Sequence, residues 1–416
     1  MSHGYPVRAI SPAEYPAFTA VAGEAFLEPW PPEALEVERS VLEFDRTAAA
    51  FDGTQMVGFG SAYSFSLTVP GASAPAAGIS NVSVLPSYRR RGILTAMMRH
   101  LLADALDRGE ALAILFASES GIYSRYGFGL ASWHQRFTIA RGDGVLRTGG
   151  AAPDTAGLQL RSAVPEEVRS ELGHIYATAL SGRPGSVARD DRWWQAVLAD
   201  PPVLRDGMSP LRCLLAEDSG GPSGYALYRT KPSWENGVAL GMLRVRELIA
   251  SGPAVIAALW SDLLTRDLVG EVTAPVRPVD DPLLAMLTDP RRAHPAVSDG
   301  LWVRLADVPA ALCKRRYTAG IDVVLDVIDP VLPDNAGRWR LQSAGPDDPA
   351  LATCERSGAP ADVLLTVQAL GAAYLGGASF GQLAGAGHVR ELTPGAMARL
   401  AAAMSYDPAP WACMVF

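Results

Sequence analysis

The chain is predicted to be a mixed α/β protein in three parts, two related α/β segments in tandem and then a smaller α+β segment. Three observations predict this. At 416 residues it is longer than one hydrophobic core usually supports. Its first two parts repeat: Val7-Arg8-Ala9-Ile10-Ser11-Pro12-Ala13-Glu14 lines up with Leu160-Arg161-Ser162-Ala163-Val164-Pro165-Glu166-Glu167 at an offset of 153, superposing Arg8 on Arg161, Pro12 on Pro165 and Glu14 on Glu167. Its last part has another rhythm, with strands first and helices after them.

In each copy a short strand enters a helix begun by proline, whose fixed φ suits a first helical position. An extended pair follows across a polar glycine turn, over residues 48–63 around Asp52-Gly53 and over 213–229 around Ser219-Gly220-Gly221. In the first copy the run Ser80-Asn81-Val82-Ser83-Val84 leads through a short turn and three arginines, Arg89, Arg90 and Arg91, to Gly92. From there Ile93/Leu94, Met97/Met98 and Leu101/Leu102 recur at the spacing of a helix with one buried face. An apolar strand over 111–118 comes next. The second copy has a strand over 242–249 and a helix over 254–265, joined by the neutral Ala250-Ser251-Gly252-Pro253. A turn-rich stretch, from Asp280-Asp281-Pro282 to Asp289-Pro290-Arg291, suggests a boundary. Beyond it strands are expected over 320–327, 338–343 and 363–366. Helices are expected over 367–375, 379–384 and 394–403, the last with Thr393 as its N-cap.

Composition narrows the function classes. Lys plus Arg total 36 against 44 Asp plus Glu, and the resulting net charge of −8 argues against nonspecific nucleic-acid binding while suiting a cationic substrate. Hydrophobic residues make up 49% of the chain, yet none of its apolar runs reaches the length of a membrane span, so a soluble globular protein without a membrane role is expected. The opening Met-Ser-His-Gly-Tyr-Pro has no apolar signal core, which gives a cytoplasmic expectation. Cys213, Cys313, Cys354 and Cys413 are widely spaced and are expected to be free thiols. The six histidines are as scattered, and no metal site is expected.

The segment from Ser80 to Thr95 carries the sharpest chemistry. A helix N-terminus leaves its first N–H groups unpaired and bears roughly half a positive charge, so it holds a diphosphate where nothing bulky blocks the approach. Gly92 supplies that bare backbone, and Arg89, Arg90 and Arg91 supply cationic donors for phosphate oxygens. The alternative is a solvated basic turn. Against it, cations at a helix N-terminus are electrostatically misplaced unless an anion compensates them.

The stretch Arg89-Arg90-Arg91-Gly92-Ile93 is similar to motif A of the GNAT acetyltransferases, Arg/Gln-x-x-Gly-x-Gly/Ala, with Leu94 departing at its last position. That leucine, the preceding Val-Ser-Val-x-Pro and the triple arginine resemble the Eis branch of the superfamily. A second motif agrees: Ile122-Tyr123-Ser124-Arg125-Tyr126-Gly127-Phe128 resembles the GNAT signature Leu-Tyr-x-x-x-Gly-Phe. The resemblance implies tandem GNAT folds followed by a sterol-carrier-like α+β domain. Its segments would be 1–150 as the catalytic GNAT domain, 151–295 as a GNAT-like domain without the acetyl-CoA motif, and 296–416 as the sterol-carrier-like domain.

The resemblance also implies roles. Acetyl-CoA would be the co-substrate, with Val82, Ser83 and Val84 pairing with its pantetheine arm. Its pyrophosphate would lie on Arg89, Arg90, Arg91, Gly92, Ile93, Leu94 and Thr95, with Ser118 and Glu119 alongside. Tyr123 would be the general acid, since an unperturbed phenol titrates near 10 and stays protonated at neutral pH. Tyr126 would only pack.

Phe416, last in a strongly apolar Pro410-Trp411-Ala412-Cys413-Met414-Val415-Phe416, would act as general base through its α-carboxylate; the alternative is a packing anchor. Phe26, Glu28 and Trp30 would wall the acceptor pocket, while Glu33, Glu36 and Glu38 read as solvated. The implied partners are a small-molecule amine, aminoglycoside-like or lysine-like, and further copies of the chain in a homohexamer. Two rivals stay open: a biosynthetic or protein-lysine acetyltransferase, and a noncatalytic lipid or hydrophobic-ligand binder using the last segment.

Overall fold

A computed structural model describes residues 4–27, 30–149, 152–346 and 352–416. The chain opens with β1 (Val7–Arg8), α1 (Tyr15–Phe26), α2 (Pro32–Val41), β2 (Ala49–Asp52), β3 (Gln55–Val69), β4 (Ala72–Val84), α3 (Ile93–Asp107), β5 (Leu112–Phe116), α4 (Ser120–Tyr123) and β6 (Gly129–Leu130). The middle supplies β7 (Trp133–Ala140), β8 (Gln159–Ala163), α5 (Arg169–Ala179), α6 (Asp191–Leu198), β9 (Arg212–Asp218), β10 (Gly221–Lys231), β11 (Trp234–Glu235), β12 (Val238–Ala239), β13 (Gly241–Ala250), α7 (Pro253–Thr265), β14 (Val269–Pro278), α8 (Leu283–Met286) and β15 (Ala296–Asp299). The remainder is β16 (Leu301–Leu305), α9 (Val308–Lys314), β17 (Ile321–Ile328), β18 (Gly337–Ser343), β19 (Thr353–Arg356), β20 (Val363–Thr366), α10 (Val367–Tyr374), α11 (Phe380–Gly385), β21 (Val389–Glu391) and α12 (Ala396–Met404).

Two compact units result. One comprises 1–132, 182–188 and 300–416; the other comprises 133–181 and 189–299. The first unit holds a seven-stranded sheet in the order β1-β2-β3-β4-β5-β16-β6 and a five-stranded sheet, β19-β18-β17-β20-β21. The second holds a seven-stranded sheet in the order β15-β7-β14-β13-β10-β9-β8. Sequence neighbours therefore part company twice, β6 from β7 and β15 from β16. All five residues of β16 are buried, as befits a strand covered on both faces, and it pairs antiparallel with β5 from Leu301↔Phe116 to Leu305↔Leu112.

Packing in the first unit sets the stage for its cleft. Phe18 of α1 lies 4.0 Å, centroid to centroid, from Phe59 of β3. On α3, Ile93, Met97, Met98, Leu101, Leu102 and Ala105 are buried against the sheet, each large apolar side chain contributing about 1.5–3 kcal/mol. The far end of α3 is tied by the fully buried Arg46, which donates to Asp104 at 3.1 Å and to Glu110 at 2.5 Å.

The repeat is only partly mirrored in its ion pairs. Arg8 bonds Glu14 at 2.6 Å, whereas Arg161 bonds Glu171 at 2.9 Å and Glu217 at 3.3 Å rather than the aligned Glu167. The last helix also starts later than expected. Its N-cap is Gly395, in a left-handed conformation at φ +81, and Thr393 instead accepts the amide of Ala396 through its carbonyl.

The chain's last residues are held in place. Arg315, fully buried, donates to the carbonyls of Tyr374 and Met404, the C-terminal residues of α10 and α12. Beyond α12, Arg183 donates to the carbonyl of Ala409 at 2.7 Å and the Trp411 amide to that of Pro184 at 2.8 Å. The 182–188 segment is itself bonded to β3, through the amides of Gly185 and Thr68 and the carbonyls of Thr68 and Ser186.

Candidate functional site

The site grows from a bend in β4. The register of β3 and β4 shifts between Phe59 and Ser61, and Asn81 takes φ +57, a left-handed conformation that asparagine tolerates better than most residues. β4 pairs in parallel with β5 only from Ala76 to Gly78 against Leu112 to Ile114. Past that point the two strands part while β4 runs on to Val84. A wedge opens between them, with the Val82–Val84 backbone on one wall.

The wedge widens into a cleft of about 700 Å³. It is lined by Val82, Ser83, Val84, Arg89, Arg90, Gly92, Ile93, Leu94, Thr95, Ser118 and Glu119, by Tyr123, and by Phe26 at the end of α1. Eleven of the twelve expected acetyl-CoA residues are thus brought together. Arg91 is not. Its guanidinium donates to the Tyr5 hydroxyl at 3.2 Å and sits 5.0 Å from the Tyr88 ring centroid. Arg90 takes φ +63 and Gly92 φ +83, and these left-handed steps turn successive residues to opposite sides. Arg89 ties the end of β4 to α1, donating to the carbonyls of Val84 at 3.4 Å and Ala25 at 3.3 Å.

At the head of α3 the first helical bond runs from the Ala96 amide to the Gly92 carbonyl at 3.0 Å. The amides of Ile93, Leu94 and Thr95 precede it and have no acceptor among the described residues. A Cβ on Gly92 would meet nothing within 4 Å, so the approach to these amides is open.

Tyr123 closes the other side. Residues Ser120–Tyr123 form a helical turn, Ser124–Tyr126 tighten it, and Gly127 ends it at φ +83. Tyr123 is buried, with its ring 6.2 Å from that of Phe128. Burial pushes its phenol up to about 12, with the Ser118 hydroxyl drawing it back a little. Tyr126, expected only to pack, is buried, lines the cleft and bonds the Thr95 hydroxyl at 3.1 Å.

A second pocket of about 410 Å³ shares Phe26, Val82, Ser118 and Tyr123 with the cleft. Its other lining residues include Trp30, Glu38, Asn81, Phe116 and Phe416. The Phe416 ring lies 4.8 Å from Phe65, 5.3 Å from Phe116 and 6.4 Å from Tyr63. Glu28 lies outside the described residues. Glu33 and Glu36 are exposed, but Glu38 is half-buried and corrects its solvated reading. The signal lay in its position. Glu38 falls on the apolar stripe of α2, between Ala34/Leu35 and Val41/Leu42, where a solvated residue has no place.

The second unit has a comparable strand-to-helix turn at β13 and α7. There Gly252 takes φ +104, but Pro253 follows at the first helical position and offers no N–H, and no arginine flanks it.

Family models match three segments of the chain. An acetyltransferase (GNAT) domain matches residues 6–131, a further acetyltransferase (GNAT) domain 185–305, and a sterol carrier protein domain 308–413. The chain is 44% identical to an N-acetyltransferase of Streptomyces avermitilis, with 91% of each chain covered. It is 32% identical to the N-acetyltransferase Eis of Mycobacterium tuberculosis over 95% of this chain and 96% of the other. The chain belongs to the Eis family of GNAT N-acetyltransferases. Its structure superposes on that of Eis1 from Mycobacterium abscessus with a TM-score of 0.82 at 33% identity, covering 99% and 100% of the two chains. A GCN5-related N-acetyltransferase from Anabaena variabilis, 18% identical, shares the fold with a TM-score of 0.85 over 99% and 100%.

This Eis-family protein is therefore an acyltransferase, and acetyl-CoA is its co-substrate. The cleft fits that molecule: free amides and a bare glycine at a helix N-terminus suit a pyrophosphate, and an unpaired strand edge suits an amide-bearing arm. Among the described residues, no helix of the Eis-family chain is long and apolar enough to cross a membrane.

Proposed function

We propose that the enzyme transfers acetyl from acetyl-CoA to a primary amine of a cationic acceptor, aminoglycoside-like or lysine-like, directly within a ternary complex. The observation that carries this reading is the junction at Tyr123, which lines both the cleft below α3 and the pocket containing Phe416. Donor and acceptor can meet at one phenol.

Acetyl-CoA supplies an activated thioester. The α3 amides, with Arg89 and Arg90, hold its pyrophosphate, and the Val82–Val84 backbone aligns its arm. The Phe416 carboxylate takes a proton from the incoming amine as the nitrogen–carbon bond forms. Tyr123 gives its proton to the sulfur as the carbon–sulfur bond breaks. In this reading residues 1–150 carry the chemistry, 151–295 form a GNAT-like scaffold, and 296–416 deliver Phe416. Assembly as a homohexamer completes it.

The test is thiol release from acetyl-CoA across aminoglycosides, polyamines and lysine peptides, with acetyl-CoA binding followed by calorimetry. Acceptor-dependent release is expected, with aminoglycosides or lysine-like amines leading. A chain that fails to bind acetyl-CoA would overturn the cleft assignment.

A further inference from the structure

Residues 182–188 belong to the first unit although the chain on either side of them belongs to the second. They lie along an edge of β3 that β2 leaves open. β2 pairs with β3 no further than Gly58, and a bridge joins Thr47 to Ser61, whereas β4 accompanies β3 to Val69. Beyond Ser61 the free edge is taken by this strap. Gly185 donates its amide to the Thr68 carbonyl at 2.8 Å, Thr68 donates back to that of Ser186 at 2.8 Å, and Ala188 donates to that of Ser66 at 3.0 Å. Val187 stands opposite Leu67 in antiparallel register, and the Ser186 hydroxyl donates to that of Thr68 at 3.0 Å. The strap is thus a short added strand, its backbone groups satisfied by β3.

The same residues hold the tail. Arg183 donates to the Ala409 carbonyl at 2.7 Å, and the Trp411 amide donates to that of Pro184 at 2.8 Å. At Gly185 the two backbones touch. A Cβ there would stand 3.2 Å from the N, C and O atoms of Trp411, and the residue takes φ +93, so glycine suits this position on both counts. Five residues further on, Phe416 returns to the same stretch of β3. Its ring is 4.8 Å from Phe65, next to Ser66, and a Cβ on Gly78 of β4 would fall 3.1 Å from it. Strap and terminal ring therefore share one footing, residues 65–68.

A chain end frays unless it is tied down, and a misplacement of about 1 Å can cost about a hundredfold in rate. Ring packing holds the Phe416 side chain. The direction from which its backbone arrives is set by the residues before it. We infer that Arg183 and Gly185 are positioning residues for the terminal carboxylate: by pinning Ala409 and Trp411 to the edge of β3, they set the path of the last five residues and hence the reach of that carboxylate toward the acceptor amine. This rests on the transferase reading above, with the Phe416 carboxylate as base.

The test uses full-length Arg183→Met, which keeps an apolar stem and loses the donor, together with Gly185→Ala and the conservative Arg183→Lys. Each is also made in a chain with one glycine appended after Phe416, where the carboxylate has become an amide. The measurements are kcat, KM for both substrates, acetyl-CoA binding by calorimetry, Tm, and the rate at which carboxypeptidase A releases Phe416 from the unextended chains. Arg183→Met and Gly185→Ala should lower kcat roughly ten- to a hundredfold with acetyl-CoA affinity held. Carboxypeptidase should release Phe416 faster from both, and Arg183→Lys should recover part of the rate. In the glycine-extended chain the same substitutions should cost nothing further, because residues that act as a unit are not additive. A merely structural role would lower turnover alike in both backgrounds.

That equal fall, or wild-type kcat in both Arg183→Met and Gly185→Ala, would overturn the inference. Should Gly185→Ala fail to fold, Arg183→Met decides alone. The two readings fail separately. If the glycine-extended chain loses turnover while the strap variants keep it, the inference falls and the carboxylate remains the base. If the glycine-extended chain turns over as wild type, the base reading falls and takes the inference with it.

Discussion

A Cβ on Gly127 would stand 2.2 Å from Nη1 of Arg304. The glycine ends the Tyr123 turn, and the arginine sits on β16, after the second GNAT match has nearly run its length. Nη1 and Nε of Arg304 are buried and have no hydrogen-bond partner among the described residues, and the guanidinium packs closely against this turn. Two neighbours repeat the pattern: a Cβ on Gly129 would fall 2.0 Å from the Gln368 carbonyl of α10, and one on Gly371 would fall 2.2 Å from that of Val303. The proposed acid is therefore backed by the last third of the chain.

Gly127→Ala follows directly. The new methyl meets Arg304 and imposes φ +83 on a residue that resists it, a strain of about 1–3 kcal/mol before any clash is counted. The expected result is a fall in kcat of tenfold or more, a Tm lower by several degrees, and acetyl-CoA affinity within a factor of a few. Wild-type kcat in the folded variant would mean that the turn does not need this glycine.

The ion pair behind the turn makes a second test. Arg304 and Asp329 are both fully buried and 2.5 Å apart, and Asp329 also accepts from the amides of Val331 and Leu332 and from Asn335. Removing one partner leaves an uncompensated charge, so Asp329→Ala should cost about 3–5 kcal/mol in urea unfolding. Replacing both, as Arg304→Met with Asp329→Leu, should recover most of that stability. A double variant no more stable than Asp329→Ala would assign the loss to the Asp329 amide bonds instead.

Much of this was readable from the chain because local rules suffice for it. Hairpins at Asp52-Gly53 and Ser219-Gly220-Gly221 and the buried face of α3 need only turn residues and a helical period. β16 escaped because Leu-Trp-Val-Arg-Leu has no alternation and follows a boundary-like stretch, and its partners β5 and β6 lie about 170 to 190 residues away. The cleft residues came from two short motifs, yet Arg91 departs from its neighbours because backbone angles, not composition, decide which way each arginine points. Glu38 was misjudged for a related reason: a charge is read as solvated until the helix face it occupies is compared with its apolar neighbours.

Tyr123 gives a prediction with a definite sign. Desolvation penalises phenolate, so the proton is held more tightly than in water and the acid form persists to about pH 12. The profile of kcat/KM should therefore rise with pH as acceptor amines lose their protons, without a descending limb from Tyr123 below about pH 11. Tyr123→Phe should lower kcat roughly a hundredfold or more with acetyl-CoA affinity intact. A descending limb near pH 10 that disappears in Tyr123→Phe would show the phenol to be unshifted, and unchanged turnover would remove it from the chemistry.

The end of the chain can be tested without touching the core. The Phe416 ring is wedged among Phe65, Phe116 and Tyr63, while Val415 before it is 59% exposed, so the last two residues have different tasks. Appending a single glycine after Phe416 keeps the ring and converts its carboxylate into an amide, which has no useful basicity. If that carboxylate is the base, turnover should fall by a factor of a hundred or more, since general-base catalysis contributes about 10²–10⁴. Tm and acetyl-CoA binding should hold, because the aromatic packing and the α3 cleft are untouched. Phe416→Leu should show the complementary pattern, with a carboxylate still present but less firmly placed, and a smaller loss that grows with temperature. Wild-type turnover in the glycine-extended enzyme would reduce Phe416 to a packing anchor and leave deprotonation of the amine to solvent.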